Sequence, residues 1–154
     1  MQKSKIIFLI LISLPFFSCR SATGVVGDYK TPLFGDETNR HRVTITTPNA
    51  EITGIMITKF MNGEWRGSMI NEFGVKAFDF AVNNNKCRII NQISFLNKWY
   101  IRKTIESDLA FLFENVSAYK QKKGKMLEID ENGFVLINEK RGIKYNFNQL
   151  KVEN

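Results

Sequence analysis

The sequence predicts an α+β domain: a strongly curved antiparallel sheet or open β-barrel of about eight strands, covered by one amphipathic helix. Three observations predict it. From His41 onward, apolar and polar residues alternate in short runs, the period of a half-buried strand. Turn formers such as Asn62-Gly63 separate these runs. The period then changes over residues 104–115 to the spacing of a helix.

Before the domain comes a leader. Lys3 and Lys5 precede an apolar run of 12 residues, 6–17, broken by Ser13 and Pro15. A basic end, a short apolar core and small residues after it form the plan of a secretory signal. A membrane-crossing helix would need about 20 apolar residues for the ~30 Å hydrocarbon layer. "PFFSC", residues 15–19, resembles the lipobox of bacterial lipoproteins in its Phe-rich Bacteroidetes-type form, with Ser18 before the cysteine. The resemblance implies that residues 1–18 are a signal peptide and that Cys19 becomes the acylated N-terminus. The other reading is ordinary cleavage nearby, after Ser21 for instance, which leaves a soluble periplasmic protein. Two or three acyl chains, at about 0.8 kcal/mol per buried CH₂, anchor a protein effectively permanently. By the same resemblance, Arg20 stands where an Asp would resemble an inner-membrane retention signal, which implies the outer membrane, and no acidic run resembling a surface-export signal follows Cys19, which implies its periplasmic side.

Without residues 1–18 the chain has 136 residues, the size of one domain. The formal charge is +7; the leader removes two lysines and no acids, so the mature part carries +5. That balance points to anionic partners, and the compartment excludes nucleic acid. Part of it lies in Lys120, Lys122, Lys123 and Lys125. These form either a solvated loop or a contact for anionic lipid headgroups. With Cys19 acylated, Cys87 has no disulfide partner in the chain and reads as a small buried hydrophobe in a strand.

Residues 19–40 read as a lipidated tether, with Leu33 and Phe34 able to pack on the fold, and residues 41–154 as the domain. In "HRVTITT", 41–47, Val43 and Ile45 share a face, and Pro48-Asn49 turns the chain. Residues 51–61 are rich in β-branched side chains and end at Asn62-Gly63, a type I′ hairpin signal. In residues 64–73, Trp65, Gly67, Met69, Asn71 and Phe73 share one face, with Gly67 leaving a gap or bend between large neighbours. Phe78, Phe80 and Val82 lie together in the next strand, opposite Asp79. After Asn83-Asn84-Asn85, Cys87, Ile89, Asn91 and Ile93 share one face of a fifth strand. Residues 97–103 fit either a strand or a helix start and lean toward strand. The helix then begins with Thr104 as N-cap, Glu106 and Asp108 in its first turn, and Ile105, Leu109, Leu112 and Phe113 on its inner stripe. "KMLEID", "FVLINE" and "GIKYNFNQL" are the last strands.

Catalytic templates are missing. The single histidine, His41, stands between Arg40 and Arg42 and reads as a lone surface residue, with no neighbour at metal-ligand spacing. No nucleophile elbow, P-loop or zinc-protease motif is present. The carboxylates Glu51, Glu64, Glu72 and Asp79 are scattered singly on strands. Neither an enzyme nor a metal or cofactor is expected. The inward faces are instead rich in large apolar residues: Trp65, Met69, Phe73, Phe78, Phe80, Ile89, Leu109 and Phe113. They form either a packed core or the lining of an apolar cavity for acyl chains; periodicity alone does not separate the two.

"SMINEFGVKAFDFAV", 68–82, resembles the lipoprotein-localisation factors LolA and LolB, above all the LolB type. Asn71-Glu72-Phe73-Gly74 takes the place of the family's Asn-x-x-Gly, followed by a strand at 75–82, another at 87–93 and the helix at 104–113. The resemblance implies an open barrel with a helical lid over an apolar cavity, receiving lipid or lipoprotein acyl chains without a covalent step. Phe60 to Gly63 is a candidate hairpin tip. The competing expectation is an interaction lipoprotein that docks on an envelope protein complex, with a filled interior and an exposed apolar patch.

Overall fold

A computed structural model gives the fold; its described residues are 37–114, 119–130 and 132–150. The signal peptide, Cys19, Leu33 and Phe34 lie outside them. The strands are β1 (Asn39–Thr47), β2 (Ala50–Met61), β3 (Glu64–Asn71), β4 (Lys76–Asn83), β5 (Lys86–Gln92), β6 (Tyr119–Lys122), β7 (Lys125–Asp130), β8 (Gly133–Asn138) and β9 (Ile143–Gln149). A 3-10 turn, Ser94–Asn97, leads into the helix α1 (Trp99–Phe113), which stands between β5 and β6.

All nine strands form one sheet in the order β5-β4-β3-β2-β1-β9-β8-β7-β6, with every neighbouring pair antiparallel. Two meanders therefore meet at the centre, where β1 pairs with β9 through Val43 opposite Phe147. The two edges, β5 and β6, do not pair with each other, so the sheet is open rather than a closed barrel. The strand beyond the expected eight is β6. The lysine-rich segment is a hairpin and not a loop, because Lys123 (φ 54°) and Gly124 (φ 77°) both take the left-handed backbone of a type I′ turn. Asn62-Gly63 and Asn84-Asn85 turn their hairpins with the same pair of positive φ angles.

The alternation places most of the apolar residues as expected. Val43, Met56, Met69, Phe78, Phe80, Ile89, Leu127, Leu136 and Phe147 point to one face and form a single cluster with Leu109, Leu112 and Phe113 of α1. Each such side chain contributes roughly 1.5–3 kcal/mol when buried. Gly67 leaves the gap between large neighbours that its position suggests. A side chain there would run into the Phe80 ring, which lies over the glycine from the paired strand.

The helix starts earlier than its spacing suggests. Residues 97–103 are not a strand: α1 opens at Trp99, after Lys98, which provides no side-chain cap. Thr104 is therefore inside the helix, where its hydroxyl donates to the Tyr100 carbonyl at 2.8 Å. Glu106 and Asp108 leave the first turn for the middle of the helix, and both are buried. Glu106 holds the β5 edge. Its Oε1 accepts from the Ile89 backbone N–H at 3.2 Å, while Arg102 donates to the Ile89 carbonyl at 3.3 Å. Ile90 is left over in a bulge, since Phe80 pairs with Ile89 and Asp79 with Asn91. Asn91 therefore does not share the inner face with Ile89 as the alternation predicts; it lies beside Asp79 and donates to its Oδ2 at 3.0 Å. Side chains of α1 thus cover backbone groups that an open edge would expose. No helix among the described residues is long and apolar enough to cross a membrane.

Candidate functional site

The side chains expected to line a cavity separate into two groups. Met69, Phe78, Phe80, Ile89, Leu109 and Phe113 are buried in the cluster between sheet and helix, and Trp65 packs against it half-buried. Their rings touch: Phe78 and Phe80 at 6.1 Å between centroids, Phe80 and Phe113 at 5.9 Å, Trp65 and Phe113 at 5.7 Å. With Leu112 fully buried beside them, these side chains occupy the space between sheet and helix. Phe73 does not join them. It sits in the β3–β4 turn, 88% exposed. The turn explains the shift: Asn71 Oδ1 accepts from the Phe73 and Val75 N–H groups at 3.0 and 2.8 Å, and Gly74 takes φ 76°. Alternation ends at Asn71, so Phe73 has no strand to fix its face.

Phe73 belongs instead to an apolar end of the molecule. The β3–β4 turn carries Phe73 and Val75, and the exit of β5 carries Ile93, Trp99 and Tyr100; all five are exposed, Trp99 by 77%. The Ile93 N–H donates to the Ala77 carbonyl, which ties the two segments together.

A groove of about 510 Å³ opens on the other face of α1. Lys103, Thr104, Ser107, Ala110, Phe111 and Glu114 of the helix form one wall. Lys122, Lys123 and Lys125 of the β6–β7 hairpin, Lys140 and Arg141 of the β8–β9 turn, Asn138 and Asn85 form the rest. Three of the four lysines singled out in the sequence, Lys122, Lys123 and Lys125, thus converge here. Lys120 lies on β6, opposite Leu127. The sequence did not reveal that Lys103, Lys140 and Arg141 join them. These residues come from distant segments, and only the return of β6–β9 around α1 brings them together.

Asp108 lies fully buried beneath this groove. Its Oδ1 accepts from Asn138 Nδ2 at 2.8 Å and pairs with Lys125 Nζ at 2.7 Å; its Oδ2 accepts from the Tyr145 hydroxyl at 2.8 Å. Lys125 also donates to Ser107 Oγ at 2.6 Å and has only 14% of its side chain exposed. Burial, then the Asp108 charge, hold the Tyr145 hydroxyl well above its ordinary range, so it stays a donor. Lys122 pairs with Glu114 at 3.3 Å and Lys103 with Glu106 at 3.2 Å. Six cations against the carboxylates of Glu106, Asp108 and Glu114 leave a net +3 around the groove.

His41 is not on the surface. It is fully buried in β1, its ring 5.3 Å from Phe134 and 6.4 Å from Phe147, because β9 pairs beside β1 and β8 beside β9, which sets both rings on the same face of the sheet. Among the described residues neither ring nitrogen has a hydrogen-bond partner, and burial lowers its pKa from 6.5 to about 4. On the outer face, Glu64 is held below its ordinary range by bonds from Arg88 and Arg66. Burial raises the Asp79 carboxyl, but bonds from Asn91, Ser68 and Lys76 outweigh that and hold it low. Among the described residues no group of three or more His, Cys, Asp or Glu side chains could hold a metal ion. The chain matches no protein-family model and no curated protein sequence.

Proposed function

We propose that this protein is an acyl-anchored lipoprotein of the bacterial envelope, held in the outer membrane through Cys19 and facing the periplasm, whose domain acts by binding and without covalent chemistry. The domain docks on an envelope protein complex through its apolar end. The observation that carries this reading is the pairing of an occupied interior with exposed Phe73, Val75, Ile93, Trp99 and Tyr100. Exposed apolar side chains on linked segments mark an interaction surface, and Trp and Tyr are among the residues most enriched at binding hot spots; Phe60 and Met61 at the β2–β3 hairpin are exposed as well.

The resemblance to the LolB type supports a second reading, in which acyl chains enter between sheet and helix. Met56, Met69, Phe78 and Phe80 supply an apolar lining for it. That reading requires α1 to lift, breaking the bonds of Asp108 to Lys125, Asn138 and Tyr145 and that of Glu106 to Ile89.

Anchoring is tested by palmitate labelling and fractionation of Cys19→Ala in the native host. The reading expects loss of label and of membrane association with the domain still folded. Docking is tested by in-cell photo-crosslinking from positions 73 and 99. A defined adduct that vanishes in Phe73→Ser/Trp99→Ser supports it, and no adduct from either position refutes it. Native mass spectrometry of the purified protein decides between the readings: a bound acyl lipid other than the anchor favours the second.

A further inference from the structure

We propose that the basic groove beside α1 is a binding site for a phosphorylated ligand, either a soluble phosphoester or the phosphate of a lipid headgroup. This goes beyond the anchored docking module and stands without it. Lys103, Lys122 and Lys125 each have a carboxylate partner. Lys123, Lys140 and Arg141 make no ion pair among the described residues, so the groove keeps three cations uncommitted. They come from two different turns, and like charges brought together this way repel until an anion joins them.

Both turns are fixed. Lys123 is held in the left-handed backbone of its two-residue hairpin. Gly124 beside it leaves room for the Lys140 stem; a side chain at 124 would lie 3.1 Å from Lys140 Cγ and Cε. The β8–β9 turn is pinned by the Arg141 N–H, which donates to Asn138 Oδ1 at 3.3 Å. Asn138 in turn is held by buried Asp108. The floor is therefore a satisfied polar network rather than a loose surface.

Chemistry selects phosphate. A phosphomonoester carries close to two charges and three terminal oxygens, so it can accept from separate lysines and from an arginine fork at once. Glu114 is an opposing charge in the wall, and its pairing with Lys122 limits its repulsion of an incoming anion. A volume of about 510 Å³ lies in the range of small-ligand sites and exceeds one inorganic phosphate, so the ligand has a body beyond its phosphate.

The test uses the full chain with Cys19→Ala, which removes any acyl anchor. It is titrated calorimetrically with pyrophosphate and sedimented with phosphatidylcholine vesicles with or without phosphatidic acid. Saturable pyrophosphate binding is expected, weakened about tenfold by Lys140→Gln/Arg141→Gln and in the same direction by Lys123→Gln. Lys59→Gln/Lys144→Gln, which removes equal charge from exposed strand positions elsewhere, should leave it unchanged. Sedimentation with phosphatidic acid that depends on Lys140 and Arg141 assigns the headgroup source. Pyrophosphate binding without sedimentation assigns the soluble source. Binding to neither probe, or equal weakening in both double variants, overturns the site. Circular dichroism melting confirms that each variant is folded.

Discussion

Lys125 Nζ lies 2.7 Å from Asp108 Oδ1 across the join between β7 and α1, and the carboxylate is fully buried. This pair ties the returning meander to a helix that belongs, by packing, to the first one. Removing one partner of a buried ion pair leaves the other uncompensated, at about 3–5 kcal/mol. Asp108→Ala would strand Lys125, Asn138 and Tyr145 together and is expected to cost that much in urea unfolding. Lys125→Met keeps the stem over Phe111, with the cation removed from its place 6.0 Å from the ring centroid, but leaves Asp108 with two neutral donors. It should cost less than Asp108→Ala. Equal or negligible losses would show that the pair does not hold the helix.

Most of the strand pattern was legible because alternation and turn chemistry agree locally. Val43, Phe78, Phe80 and Val82 face inward as their spacing requires, and Asn62-Gly63 turns as its composition requires. Asn71 and Gly74 are accounted for by local work: one caps the turn with its side chain, the other supplies positive φ. What was not legible depends on partners far away in the chain. His41 looked exposed because its neighbours are arginines, yet Phe134 and Phe147 arrive from more than 90 residues later to bury it. The helix start was missed because no cap marks it. The groove is legible only in part because Lys103, Lys140 and Arg141 lie far in sequence from Lys122, Lys123 and Lys125; the topology alone gathers them.

Buried His41 should make stability fall as the solution is acidified through the mild range. Its folded pKa is lowered to about 4, from 6.5. Between these values the unfolded chain binds the proton and the folded one resists it, so stability drops as pH falls below 6.5 and levels off below 4. The loss is about 2 kcal/mol at pH 5 and about 3 kcal/mol at the lower limit. Urea unfolding of the wild type and His41→Leu at pH 7.5 and pH 5 checks this. The difference between the two proteins should change by about the same 2 kcal/mol in favour of the variant. A parallel response would place the proton-sensitive group elsewhere.

Gly67 and Gly133 both lack space for a side chain, but against different obstacles. A methyl group at Gly67 meets the Phe80 ring, whereas at Gly133 it meets the Phe147 backbone carbonyl in the paired strand. A ring can tilt at the cost of packing, about 1–3 kcal/mol for an overpacked core. A strand backbone has less freedom, because its hydrogen bonds fix its position. Gly133→Ala should therefore lower the unfolding free energy more than Gly67→Ala, with Gly67→Ala in that 1–3 kcal/mol range. The reverse order would mean that β8 and β9 separate readily at this point, and that their pairing is not what fixes the covering of His41.

Cys87 is half-buried in β5 and should be a poor nucleophile. Desolvation, then the nearby Glu106 charge, push its thiol up to about 12, from 9.0. That rise reduces the thiolate fraction at pH 8 roughly a thousandfold, and the thiolate is the reacting species. Alkylation by iodoacetamide should therefore be slower than for a free cysteine by at least about a hundredfold, allowing for local opening of the edge strand. Glu106→Gln removes one of the two causes and should speed the reaction, provided melting shows that the helix still covers β5. Rapid labelling of the wild type would show that α1 leaves the β5 edge often, which is the motion that acyl-chain entry between sheet and helix requires.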